Sequence, residues 1–244
     1  MTDAPPPTIL LVQAAADRSV ALDEEHRQIS MALNRSTYGD IFGIRTLQAA
    51  RARDLPEHLA REVPMVMHFS GRGTPNSGLR FVTDDGSEAP TSIPALCKLL
   101  AEYTADGLGL VVLNACWTVA LAEALSEAVG CVIGTSGPIP DQDAISYSYA
   151  LYRNLGCGHS VGRSHRRACA EVELLGADER YLPELFAGPG IDADTVFLVD
   201  AGSRTPLPQR PHKPHDSGSA ARLRKPVVGR PVRAAAPRWD APGR

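Results

Sequence analysis

Residues 63–73 run VPMVMHFSGRG, and the way this stretch ends decides how the rest of the chain is read. Val63 to Met67 is a continuous apolar run, the pattern of a strand buried on both faces. The run breaks at Gly71-Arg72-Gly73, a glycine-flanked loop tip. Residues 108–114, LGLVVLN, form a second such run, which breaks at Ala115-Cys116-Trp117-Thr118. Two strand ends of this kind, side by side, can bring a nucleophile and a second functional side chain to one cleft.

The flanking sequence repeats the pattern. Strands are expected at 9–13 (ILLVQ), 41–47 (IFGIRTL), 64–70, 108–114, 130–135 (GCVIGT) and 195–199 (TVFLV). Helices are expected between them. The first, 20–35, has Leu22, Ile29, Ala32 and Leu33 on one face and Asp23, Glu24 and Glu25 in its first turn. Others fall at 54–62 (capped by Asp54), 92–104 (Ser92 as N-cap), 118–128, 141–155 and 159–175. GLRFVTDDGS, 78–87, has the alternation and turn residues of a short hairpin, with Asp84 and Asp85 in the turn. The expected fold class is therefore α/β: a mostly parallel sheet of about six strands with helices on both faces. In such sheets the working site lies at the carboxyl ends of the strands, near a topological switch. HFSGRG and NACWT both sit at strand carboxyl ends.

Composition bounds the rest. The chain has 244 residues, 43% of them hydrophobic, enough for one medium core. No run of 18 apolar residues exists, so no membrane span is expected. The first eight residues carry Asp3 and three prolines and no basic run, unlike a signal peptide. The cysteines (97, 116, 131, 157, 169) are odd in number, lie inside apolar patterns and form no CxxC pair. That argues for a reducing cytoplasm, against a disulfide framework and against a zinc site; no metal or other cofactor is expected. Ten of the 25 Lys/Arg, two of the 28 Asp/Glu and eight of the 20 Pro lie at 203–244. The organisation expected is a disordered N-terminus (1–7), one folded domain (8–200) and a disordered basic tail (201–244). Nucleic acid would bind only through that tail, by charge and without sequence preference, since Trp239 is its single aromatic. A solvated tether, or one touching the acidic core of its own chain or of a partner, is an equal reading.

Cys116 has two features that favour reactivity. The following helix N-terminus stabilises a thiolate, and the turn exposes the sulfur. A base on the neighbouring loop would complete a nucleophilic pair. Otherwise a free cysteine is most often a small buried hydrophobe.

Five blocks, in order, carry a resemblance. They are LDEEHRQISMAL (22–33), VPMVMHFSGRG (63–73), LVVLNACWTVALAEAL (110–125), CVIGTSGPIPDQDAISYSYALYRNLG (131–156) and GHSVGRSHRRA (158–168). Together they resemble a CHAT-type caspase-like domain, within the caspase/separase/gingipain clan of cysteine peptidases, over about residues 8–200. The resemblance implies a three-layer caspase-like fold and protein or peptide as substrate or partner. It also implies prokaryotic stress or defence settings. No sensor domain is legible in the sequence, so an upstream sensor protein is expected as a further partner. In the family the block seen here as HFSGRG usually ends in His-Gly. That histidine is the general base, and the cysteine of the NAC block is the nucleophile. By position, Cys116 matches the nucleophile and Arg72 stands where the base would be. In the clan the loop holding Asp141 and Asp143 lines the substrate pocket; read alone, Asp143 is a favourable charge in a helix's first turn. Gly73 and Trp117, beside the two loop tips, are the other candidates for that pocket. Asp141 read alone is also a helix cap, and Trp117 read alone is also a core residue.

The departure at Arg72 falls on the chemistry. A guanidinium stays protonated at physiological pH. It can stabilise a thiolate by charge, but it cannot take a proton from the thiol. His68, four residues earlier, lies about 13 Å away along an extended strand; it is read as a core residue, with a weak alternative role as base. His26, His159 and His165 are read as exposed helical residues. Three functions follow as expectations: a pseudo-peptidase that binds a peptide or partner, an active cysteine endopeptidase using another base, and a scaffold working through its tail.

Overall fold

The computed structural model describes residues 6–16, 21–74 and 78–199. The expected tail at 201–244 and most of the expected disordered N-terminus lie outside the described residues. The elements are β1 (Thr8–Ala14), α1 (Leu22–Asn34), β2 (Gly43–Leu47), α2 (Leu55–Arg61), β3 (Val66–Gly71), β4 (Gly73–Thr74), β5 (Gly78–Val82), β6 (Glu88–Pro90), α3 (Ile93–Ala101), β7 (Leu110–Asn114), α4 (Val119–Ser126), β8 (Cys131–Gly134), α5 (Asp141–Gly156), α6 (Val161–Leu174) and β9 (Glu184–Ala187).

Six strands form the main sheet in the order β2-β1-β3-β7-β8-β9. All neighbours are parallel except β8 and β9. Period-two alternation splits the core into two. Leu10, Val12, Met67, Phe69, Val111 and Leu113 face α2, α3 and α4. Ile9, Leu11, Val66, Val112 and Ile133 face α1, α5 and α6. This is the three-layer arrangement expected, and it explains why the central strands are apolar throughout. The chain reverses direction across the sheet between β1 and β3, so the β3 and β7 ends lie beside a topological switch. A small antiparallel sheet, β4-β5-β6, stands over those ends; its β5–β6 pair is the expected hairpin.

The last strand is not at 195–199. The sheet edge is β9, Glu184–Ala187, paired antiparallel to β8. Residues 193–199 instead serve α6: Val161 N donates to Val196 O (2.8 Å) and Gly162 N to Ala193 O (2.8 Å). The first amides of a helix lack internal partners, and this segment supplies them. Leu198 and Val199 are buried there, while Phe197 points out. Asp54 likewise makes no side-chain cap bond to α2, whereas Ser92 accepts from Ala95 N.

His165 is not an exposed helical residue. It is largely covered between α5 and α6, and its Nδ1 lies 2.8 Å from the Tyr147 hydroxyl, with Cys169 Sγ beside the ring. Burial, then the Arg166 charge, lowers its pKa to about 4. An imidazole neutral in the fold and titrating near 6.5 when unfolded stabilises fully above 6.5. That contribution is lost as pH falls towards 4. Unfolding at pH 7 and pH 4.5 should show a difference on the order of 2–3 kcal/mol from this group. His165→Gln should remove that difference, and an unchanged acid limb would refute the assignment.

Candidate active site

Register brings the two loop tips together. Ser70 of β3 pairs with Asn114 of β7. Arg72 and Cys116 are each two residues further on, at the same level of the sheet. The contact between the loops is tight. A Cβ built on Gly73 would lie 2.0 Å from the Cys116 carbonyl oxygen, and one on Gly71 would lie 2.5 Å from Ala14 O. Only glycine lets the Arg72 loop lie against the Cys116 turn. Gly73→Ala is therefore expected to force backbone apart and to lower stability by about 1–3 kcal/mol. An unchanged melting temperature would show that the loop rides clear of the turn.

The Cys116 turn is held from below by two buried threonines. Thr118 Oγ1 lies 3.1 Å from Ala115 O and accepts from Thr135 N at 2.9 Å. Thr135 Oγ1 donates to Ala115 O at 2.6 Å, and Thr118 N donates to Thr135 O at 2.8 Å. This fixes the turn to both β7 and β8. It also holds Trp117 at φ 59°, a left-handed backbone that non-glycine residues seldom adopt. Trp117 is consequently 41% exposed and walls the site rather than packing in the core.

A cavity of about 770 Å³ opens between the loops. Arg72, Gly73, Cys116, Trp117 and Asp141 line it; Asp143 and His68 do not. No histidine is among the lining residues described. Arg72 Nη1 pairs with Glu88 Oε1 at 3.0 Å; Arg80 Nε lies 3.5 Å from Glu88 Oε2. Glu88 also accepts from Ala16 N at 2.9 Å. Arg72 is thus tied to the β5–β6 hairpin. Asp141 opens α5 one position inside its cap, Pro140, and makes no side-chain cap bond. Cys116 is half-buried. Burial pushes the Cys131 and Cys169 thiols, away from the cavity, up to about 11.

His68 is fully buried. Its Nε2 lies 2.9 Å from Glu25 Oε1 and its Nδ1 lies 3.0 Å from the Tyr152 hydroxyl. Glu25 was not singled out from the sequence as a site residue, only as one of three acids in a helix turn. It is 4% exposed, lines the cavity floor, and also accepts from Asn114 Nδ2 and from Ser148 Oγ at 2.8 Å. Burial pushes its carboxyl up, but the His68 charge and the bonds from His68, Ser70 and Ser148 together hold it below the usual range. The signal that could have found it is an acid at a buried i, i+4, i+7, i+8 position, with Ile29, Ala32 and Leu33. Among the described residues no group of three or more His, Cys, Asp or Glu is placed to hold a metal. No helix among them is long and apolar enough to cross a membrane.

The sheet order and the paired loop ends make a caspase-like α/β fold, and the chain is similar to proteins named as CHAT-type and other proteases. It is 25% identical over 146 residues to a Roc-COR-CHAT protease of an unknown prokaryotic organism, covering 58% of this chain and 13% of that protein. It is 26% identical over 141 residues to a probable protease of Gillisia limnaea, covering 57% of this chain and 25% of that protein. The chain thus spans a quarter or less of the relatives it matches. No protein-family profile matches it. Its fold resembles a secreted C11 cysteine protease from Bacteroides thetaiotaomicron, solved with an irreversible peptide inhibitor. That likeness has a TM-score of 0.53 and 11% identity, covering 75% of this chain and 66% of that one.

Proposed function

We propose that this domain is a caspase-like module that grips a peptide or a partner's segment at the Cys116 cavity and does not turn it over. One observation carries the reading: the side chain beside Cys116 at the base position is a guanidinium held by Glu88, not an imidazole. Peptide hydrolysis needs a group that accepts the thiol proton and later protonates the leaving amine. Arg72 does neither, and His68 is sealed beneath the floor with both ring nitrogens engaged. What remains is a half-buried thiol, a walled cavity and a polar floor. We place the module in a prokaryotic stress or defence pathway, signalled by another protein, on the resemblance alone. Its free thiols support a reducing, cytoplasmic setting.

The test is retention without turnover. The purified chain is incubated with a labelled peptide library, and bound and cleaved fractions are measured together. Peptides retained intact support the reading. Cleavage by the wild type that Cys116→Ala abolishes overturns it in favour of an active endopeptidase.

A further inference from the structure

We propose that the Cys116 cavity selects its peptide by one large apolar side chain, leucine-, methionine- or phenylalanine-like, seated against Trp117, Ile139 and Ile145. The inference rests on the peptide-gripping reading above and names what that site takes.

The charges of the cavity argue for it first. Its walls carry Arg72, Arg80, Glu25, Glu88 and Asp141. Four of these five are engaged within the protein. Glu88 holds both arginines, and Glu25 holds His68, Asn114 and Ser148. A charged ligand group would have to compete with those pairs, and a buried partner left alone is strongly unfavourable. Asp141 is exposed on the first turn of α5, where solvent screens it and the helix N-terminus already compensates its charge.

The apolar wall is the surface that gains from being covered. Ile139 and Ile145 are already 9% and 7% exposed, so they offer a formed wall and little else. Trp117 is 41% exposed, and its indole is the large apolar group left in water. Its left-handed backbone is held by the two threonines below. Strain of this kind persists where the surroundings over-determine it, and it clusters at ligand contacts. A peptide lying along the β4 edge enters the cavity beside Trp117, with its side chain against that indole.

The experiment uses the full chain carrying Trp239→Phe, which leaves Trp117 as its single indole. Fluorescein-labelled peptides, identical except for Leu, Phe, Arg or Asp at one position, are titrated by anisotropy. Tryptophan emission is followed with unlabelled copies. Leu and Phe are expected to bind on the order of ten- to a hundredfold tighter than Arg or Asp, with a blue shift from Trp117. Trp117→Gly, which removes the indole and suits the left-handed backbone, should abolish that preference. An arginine peptide that binds tightest, and loses its advantage with Asp141→Asn, overturns apolar selection but leaves peptide gripping standing. A preference for Leu that survives Trp117→Gly also overturns it. Absence of binding by every peptide overturns both.

Discussion

Arg72→His is expected to raise Cys116-dependent peptide cleavage about a hundred- to ten-thousand-fold, the range that positioned acid–base help supplies. The scaffold needed is already in place. Ser70 pairs with Asn114, so residue 72 and residue 116 stand side by side on adjacent strand ends. Gly73 keeps the loop against the turn, and Thr118 and Thr135 keep the turn still. An imidazole titrates near neutrality and can both take and return a proton. It also releases Glu88 from its bond to residue 72. Wild type, Arg72→His, Cys116→Ala and the double variant are compared on one peptide library, with melting curves to show that each folds. Silence of a folded Arg72→His would mean the cavity lacks more than a base.

Glu25→Ala should destabilise the domain by about 3–5 kcal/mol. One carboxylate beneath the cavity joins four elements: its own helix α1, β3 through His68, β7 through Asn114 and α5 through Ser148. Removing it leaves buried donors without an acceptor, the expensive half of the hydrogen-bond asymmetry. The pH dependence has a definite sign. The carboxyl is held below its ordinary value in the fold, so its stabilisation is fully present above the unfolded value. It is lost as pH falls through the lowered one. Glu25→Gln should therefore flatten the acid limb as well as lower stability at pH 7. Chemical denaturation at pH 7 and pH 4 checks both. A cost under 1 kcal/mol at pH 7 would show that Glu25 does not hold these elements together.

The layers were legible in the sequence because they rest on local periodicity; that the β3 and β7 ends meet was legible only through the resemblance. Apolar runs broken at glycine mark buried parallel strands, and helices between them require two covered faces. The edge strand was not legible. ELFA is four residues long and half exposed, while TVFLV is more apolar and has the stronger strand pattern, yet it closes the start of α6. The loop tips at Arg72 and Cys116 were visible as breaks in pattern. The floor was not, because Glu25 and His68 lie 43 residues apart and each looks ordinary alone. Trp117 had two readings, wall or core, until its exposure separated them; Asp141 lines the cavity and also sits in the first turn of α5. Long-range pairing of polar groups leaves no period in a sequence.

The Gly73 contact also has a mechanical meaning. Arg72 is linked to Glu88 on the hairpin, its carbonyl accepts from Arg80 N at 3.0 Å, and the next residue rests on the Cys116 carbonyl. No compressible side chain lies between them. Hairpin, loop and thiol turn are thus joined backbone to backbone, so the place of the hairpin and the place of the Cys116 peptide are set together.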